Sequence, residues 1–282
     1  MSWGTTGAVT TILVARAGAT PLVIGAMRML IAAVMLAAAA AVLTRAPRSS
    51  AADRWRCVAA GVCNAGFQAA YFTSVTLSGI AITALIAICS APLLITALAA
   101  ALLGERLSAR LALSLVLGVA GTALLVLGPR SSDGTRPHFA VGVAFALLAG
   151  LAYALYVVVA KSVVARMPPM SVAAWTFTAA AVVMAPALLE TGTARQIELG
   201  WPWLLYLGGV TTAGAYAIYT LGLRHVPAAA AGVAALLEPL TATLLGVVVF
   251  GERLGRAGWI GAVLLLGALA LVALPERRRP PP

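Results

Sequence analysis

Ten apolar runs follow one another along this chain, and the basic residues fall almost entirely between them. The runs are Ser2–Ala17, Pro21–Leu43, Arg56–Leu77, Ile80–Leu103 and Leu111–Gly128, then Phe139–Ala160, Met170–Glu190, Trp201–Leu221, Pro227–Phe250 and Ala257–Leu274. About 20 apolar residues in a helix cross roughly 30 Å of hydrocarbon. Lipid offers no partner to backbone N–H and C=O groups, so each run must satisfy its own as a helix. The runs are apolar all round and rich in Ala, Gly, Ser and Thr, the residues that let membrane helices approach closely. Only 10% of the chain is charged and 62% is hydrophobic. A soluble domain carries about 25% charged residues, so lipid must be the solvent for much of this chain. The fold class expected is an all-α integral membrane protein with ten transmembrane helices.

A net charge of +11 would suit nucleic acid if it formed a basic stripe. Here it marks topology instead, and no nucleic-acid partner is expected. With the N-terminus inside, the inside connectors hold Arg45, Arg48, Arg54, Arg56, Arg106, Arg110, Lys161, Arg166, Arg224 and the tail arginines 277–279. The outside connectors hold Arg16, Arg130, Arg136, Arg195, Arg253 and Arg256. Twelve against six places both termini in the cytoplasm. Cys57, Cys63 and Cys89 lie in apolar runs without metal-like spacing and read as packing residues, so neither metal nor cofactor is expected. No charged leader precedes the first run, which argues against a removed signal peptide. That run is short and opens abruptly at MSWGTTGAV, which predicts a true start further upstream.

One phrase occurs twice. APLLITALAAALLGERL runs from Ala91 to Leu107, and EPLTATLLGVVVFGERL from Glu238 to Leu254, at an offset of 147 residues. Over Pro92–Leu107 and Pro239–Leu254, 8 of 16 positions are identical. The same offset pairs Phe72 with Tyr219, Thr73 with Thr220, Pro21 with Pro168 and Gly104 with Gly251. The copies occupy the fourth and ninth runs, five crossings apart, so the second enters the membrane from the opposite side. Two inverted five-helix repeats are the plan of many secondary transporters. Pro92 and Pro239 each lack a backbone donor and clash with the carbonyl four residues earlier. They predict matching kinks, which either serve packing alone or open a central cavity.

Both copies resemble the EamA domain of the drug/metabolite transporter superfamily. LLEPLTATLLGVVVFGERLGRAGWIGAVLLLGALALV is similar to the end of its half-repeat, and so is SAPLLITALAAALLGERLSARLALSLVLGVAGTALLVLG. SWGTTGA and IGAMRMLIAAVML are similar to its opening helices, and the likeness runs from Ser2 to Leu274. The resemblance implies a first repeat over 1–128, a linker over 129–138, a second repeat over 139–274 and a disordered cytoplasmic tail over 275–282. It also implies a multi-pass carrier of the bacterial cytoplasmic membrane that moves amino acids or other small metabolites, often outward.

Glu238 alone among the acids lies near the centre of a run, where a charge costs about 2.5–3.5 kcal/mol. It is expected to take up a proton during transport or to bind a cationic group of the cargo. The bland alternative is a hydrogen bond to carbonyls freed near Pro239. Arg28 is the sole base within a run and away from its ends. It either snorkels outward or faces the bundle as a partner for Glu238 or for a carboxylated cargo. Trp3, Asn64, Gln68, Tyr71, Tyr153, Tyr156, Tyr216 and Tyr219 are candidates to line the cavity with Glu238. Spacing of three puts Gln68 and Tyr71 on one face, as it does Tyr153 with Tyr156 and Tyr216 with Tyr219. Trp55, Trp201, Trp203 and Trp259, at run ends, read as interface anchors. Glu105, Arg106, Glu252 and Arg253 read as turns at glycine helix ends.

These readings favour a secondary carrier working by alternating access. A membrane enzyme would want a His-Glu-x-x-His motif, a carboxylate pair or a serine–base arrangement, and none is present. No Walker motif supplies ATP as the drive. The partners expected are a small-molecule substrate and the bilayer, with the protein a monomer or a homodimer.

Overall fold

The structure, a computed structural model, describes residues 2–44, 49–126, 138–250 and 255–274. Arg45, Arg48, Arg130, Arg136, Gly251, Glu252, Arg253, most of the linker and the tail 275–282 lie outside the described residues. A 3-10 turn, Ser2–Thr5, leads into α1 (Thr6–Ala17), followed by α2 (Pro21–Leu43), α3 (Ala51–Ser78), α4 (Ile80–Leu103) and α5 (Ala109–Val126). The second part holds α6 (Phe139–Val164), α7 (Pro169–Met184) with a 3-10 extension, α8 (Thr193–Leu205), a π-helical stretch (Tyr206–Gly214) and α9 (Ala215–Leu223). It ends with α10 (Ala228–Ala235), α11 (Leu237–Phe250) and α12 (Arg256–Ala273). No strand occurs among the described residues.

Six described stretches are long and apolar enough to cross a membrane by length and composition: Pro21–Leu43, Ile82–Leu103, Phe139–Val164, Pro169–Leu189, Thr193–Leu223 and Arg256–Ala273. The remaining runs differ for physical reasons. Twelve residues in α1 rise only about 18 Å. The 28 residues of α3 include Asp53, Arg54, Arg56, Asn64 and Gln68. The ninth run is split into α10 and α11.

Local chemistry sets the helix ends. Thr20 caps α2, its Oγ1 accepting the Val23 N–H at 3.3 Å, with Pro21 in the first turn. Ser50 caps α3 by accepting the Asp53 N–H at 3.1 Å and donating to the Asp53 carboxylate at 2.8 Å. Gly104 ends α4 at φ 67°, the left-handed conformation expected of the Gly-Glu-Arg turn.

The helices exchange partners between the two halves. α3 lies on α6 and α7, α2 lies on α7 and the π-helical stretch, α4 lies on α6, and α5 lies on α12. Two glycines at the repeat offset mark equivalent crossings. A Cβ on Gly61 of α3 would strike the Thr176 carbonyl of α7, and one on Gly208 would strike Ile31 of α2. The third helix of each half thus crosses the second helix of the other, backbone against side chain or backbone. Val42, Val182, Ile218 and Val263 point outward and are more than 60% exposed, as lipid-facing residues are. Trp55, Trp201 and Trp259 are exposed in the same way, while Trp203 packs against the α1–α8 core.

Candidate substrate site

The ninth run breaks where its proline requires. Pro239 has no N–H, and its ring collides with the carbonyl four residues back, that of Ala235. Ala235 is the last residue of α10. Leu236 forms a turn, its N–H bonding the Val233 carbonyl at 3.0 Å, and α11 starts at Leu237. Glu238 therefore sits in the first turn of a new helix, half-buried. There an acid gains about 0.3–1 kcal/mol from the helix N-terminus. Pro92 has a different outcome: α4 runs unbroken through it. It lies against Gly232 of α10, so the two proline-bearing segments cross just before the break.

Arg28 does not snorkel. It is 8% exposed, and its Nε donates to the Thr212 hydroxyl at 3.1 Å. Thr212 belongs to the π-helical stretch and donates its own proton to the Leu207 carbonyl at 2.8 Å. Arg28 lies within electrostatic range of both Glu238 and Tyr216. Glu238 has the same relation to Tyr71, Tyr153 and Tyr216. A cation from α2 and an acid from α11 thus act on one tyrosine-lined region.

The rings form a continuous chain. Trp3 sits 5.0 Å from Tyr216 and 5.5 Å from Tyr219, and Tyr216 lies 6.0 Å from Tyr156 between ring centroids. Tyr156 continues to Tyr153 at 5.7 Å, Tyr153 to Phe67 at 5.4 Å, and Phe67 to Tyr71 at 5.8 Å. Phe177 closes against Tyr216 at 4.8 Å. Tilted and edge-on geometry throughout is the arrangement that ring quadrupoles favour. The Trp3 Nε1 has no hydrogen-bond partner among the described residues, and the Tyr219 hydroxyl approaches that of Tyr153 without reaching hydrogen-bond geometry. Two polar groups thus stand ready within an aromatic lining, where an unmade hydrogen bond is costly.

Asn64 and Gln68 lie at the α2–α3 contact, within a turn of Arg28 along α2. Asn64 is fully buried with its amide against the Met29 sulfur at 3.8 Å, and Gln68 lies beside Gly25. A cavity of about 550 Å³ lies away from the rings, between the C-terminal part of α2 and the start of α7, bordered by Ala37, Ala41, Thr44, Ser171 and Trp175. Phe67, Phe177 and Thr212 complete the site but were not singled out by sequence. The two phenylalanines carry no mark distinguishing core from lining, and Thr212 carries only a hydroxyl within an apolar run.

A second polar cluster ties the halves together at one end. Glu105, just past α4, accepts the Ala228 N–H at 2.9 Å and the Ala229 N–H at 3.5 Å, capping α10. Lys161 at the end of α6 donates to the Leu223 and Val226 carbonyls at 2.8 and 2.7 Å. Among the described residues no group of three or more His, Cys, Asp or Glu gathers to hold a metal.

The family model for EamA-like transporters matches residues 1–127 and 140–274. This chain belongs to the EamA-like transporter family. Among its relatives, the uncharacterized transporter YwfM of Bacillus subtilis (strain 168) is 36% identical over 98% of this chain and 92% of its own length. The aromatic amino acid exporter YddG of Ancylobacter novellus is 27% identical over 76% of this chain and 74% of its own. A solved crystal structure shares the fold at a TM-score of 0.80 and 24% identity, covering 96% of this chain and 92% of that one. As an EamA-like protein the chain is a multi-pass membrane transporter, with a small-molecule substrate and the bilayer as its partners.

Proposed function

We propose that this protein is a secondary carrier that exports amino acids or related small metabolites across the bacterial cytoplasmic membrane by alternating access. Both termini are cytoplasmic in this reading, and the halves 1–128 and 139–274 rock about the region between them. The observation that carries the proposal is that buried Arg28 and half-buried Glu238 lie within electrostatic range of one another beside one run of tyrosines. The cation receives a carboxylate and the acid receives an ammonium group, which are the two charges of an amino acid. Trp3, Tyr153, Tyr156, Tyr216 and Tyr219 offer ring faces to an apolar or aromatic side chain. The Ancylobacter relative, named an aromatic amino acid exporter, supports the same class. No step of this cycle needs catalysis of a covalent change.

Glu238 also serves as the coupling group, exchanging a proton against cargo at the helix break. Proteoliposomes loaded with labelled amino acids test the whole reading. Saturable release that a proton gradient drives, and that Glu238→Gln uncouples, is the expected result. A Glu238→Gln protein with full proton-dependent transport ends the coupling role. Failure of every amino acid to move, or to shift the thermal midpoint of the purified protein, ends the substrate assignment.

A further inference from the structure

The π-helical stretch is an irregularity of the second half that Pro239 does not explain. It spans Tyr206–Gly214, immediately before the helix that carries Tyr216 and Tyr219. Such stretches widen a helix by one residue per turn and recur at functional sites. In this one, Thr211 and Thr212 both donate their hydroxyl protons to the Leu207 carbonyl at 2.8 Å. The bond from Thr212 reaches back five residues, the spacing of a π turn, where a helical threonine normally reaches three or four. A hydroxyl has one proton, so the Thr212 oxygen is left as an acceptor toward α2. The Arg28 Nε–H occupies that acceptor at 3.1 Å. Gly208 and Gly209 bring the stretch against Ile31 and Met35, further along the same face of α2 as Arg28.

The equivalent crossing, α3 on α7, shows what happens without this device. At the repeat offset, Arg28 corresponds to Trp175 and Thr212 to Ala65. The corresponding stretch of α3 is ordinary α-helix. Cation, hydroxyl and π turn are therefore present together at one crossing between the halves and absent together from its counterpart.

We infer that Thr212 is a positioning residue: the π-helical turn aims its hydroxyl at Arg28 Nε and so turns the guanidinium's two Nη groups toward the cargo's carboxylate. With Nε fixed, the planar fork can rotate only about the axis that the hydrogen bond leaves. The inference rests on the amino-acid reading of the site for its ligand, and on Arg28 alone for its geometry.

The test compares Thr212→Val, which keeps the shape and loses the hydroxyl, with Thr212→Ser, which keeps the hydroxyl. Binding of L-phenylalanine and of 2-phenylethylamine, its analogue without the carboxylate, is measured on the purified full-length protein. Thr212→Val should weaken L-phenylalanine about tenfold and leave 2-phenylethylamine unchanged, and Thr212→Ser should restore the first. Equal losses for both probes, or no loss for L-phenylalanine, overturn the positioning role. If Thr212→Val does not fold, Thr212→Ala takes its place under the same criteria. A second readout is independent of cargo: the Nε–H resonance of Arg28, assigned by its absence in Arg28→Lys. It should exchange slowly with water in the wild type and Thr212→Ser, and fast in Thr212→Val or Thr212→Ala. A wild type that binds neither probe but shows this exchange pattern defeats the substrate reading and keeps the positioning one. Unchanged exchange defeats the positioning role itself.

Discussion

Helices α4 and α10–α11 are written with the same phrase and folded differently. Both carry a proline in mid-run, at Pro92 and Pro239, yet α4 is continuous while its counterpart stops at Ala235 and restarts at Leu237. The residue before each proline is the clearest chemical difference: Ala91 in the first, Glu238 in the second. A continuous helix would place Glu238 among interior backbone dipoles, where the side chain gains nothing from them. Breaking the helix puts the acid at a new N-terminus, whose unpaired N–H groups favour negative charge. The unbroken copy supports the broken one, with Pro92 and Ile95 packed on Gly232 one turn before the break. One half thus supplies a rigid surface and the other the charged discontinuity.

The charges give the largest expected effect. Arg28→Met removes the charged donor to Thr212 and the cation that acts most on Glu238, and losing a hydrogen bond to a charged group costs about 1.5–3 kcal/mol. Thermal unfolding in detergent should show that loss, and Arg28→Met combined with Glu238→Gln should recover part of it. Strictly additive losses would mean the two groups do not act on one another. The prolines come next. Pro239→Ala removes a penalty of about 3 kcal/mol against helix and should fuse α10 with α11. Transport should then fall about tenfold, equivalent to about 1.4 kcal/mol on the barrier. Pro92→Ala in a helix that is already continuous should change transport less than about twofold. Equal effects at the two prolines would erase the contrast between the copies.

Composition and the apolar runs reach the helical membrane class, because a lipid-buried chain has few alternatives. The phrase repeated at an offset of 147 residues reaches the doubled plan, and the resemblance of its motifs reaches the transporter family. An irregularity about Pro239 was also legible, but the full break between Ala235 and Leu237 was not, since a matching kink is expected at Pro92. The continuity of α4 was not legible either, because the same proline rule applies there and only packing on α10 separates the outcomes. Arg28 shows the same limit. At its depth a side chain can reach water or turn inward, and the hydroxyl that decides the matter belongs to a residue 184 positions away. Asn64 and Gln68 read as lining by polarity and lie at the α2–α3 contact, where a buried amide can serve a helix crossing as well as a wet site. The π-helical stretch has no reliable sequence mark at all. Its cause lies in the fit of Gly208 and Gly209 against α2.

The equivalent crossings at Gly61 and Gly208 allow a finer comparison. A methyl group added at Gly61 meets the backbone carbonyl of Thr176, which cannot move without its helix. At Gly208 the nearest obstacle is the Cβ of Ile31 at 2.5 Å, which is held by the α2 backbone in the same way. Gly61→Ala and Gly208→Ala should therefore each destabilise by about 1–3 kcal/mol, measured by thermal unfolding of each variant side by side. A markedly smaller loss at Gly208 would mean that the π-helical stretch yields more readily than the regular α3.

The smallest effect concerns the end where Glu105 caps α10. Its two carboxylate oxygens take the N–H groups of Ala228 and Ala229, groups that no turn of the helix itself can satisfy. The cap comes from the other half of the chain, 123 residues earlier, so it fastens the halves as well as finishing a helix. Glu105→Ala should cost about 1 kcal/mol, and Glu105→Gln, which keeps one acceptor oxygen, should cost less. The carbonyl bonds of Lys161 are separate and stay intact in both variants. The two roles differ in what else changes. A cap that only finishes α10 leaves transport kinetics as they were, whereas one that holds the halves together should raise the labelling of a cysteine placed at Ala229 by water-soluble maleimide in Glu105→Ala/Ala229→Cys over Ala229→Cys alone. Identical labelling in the two proteins would confine Glu105 to the helix end.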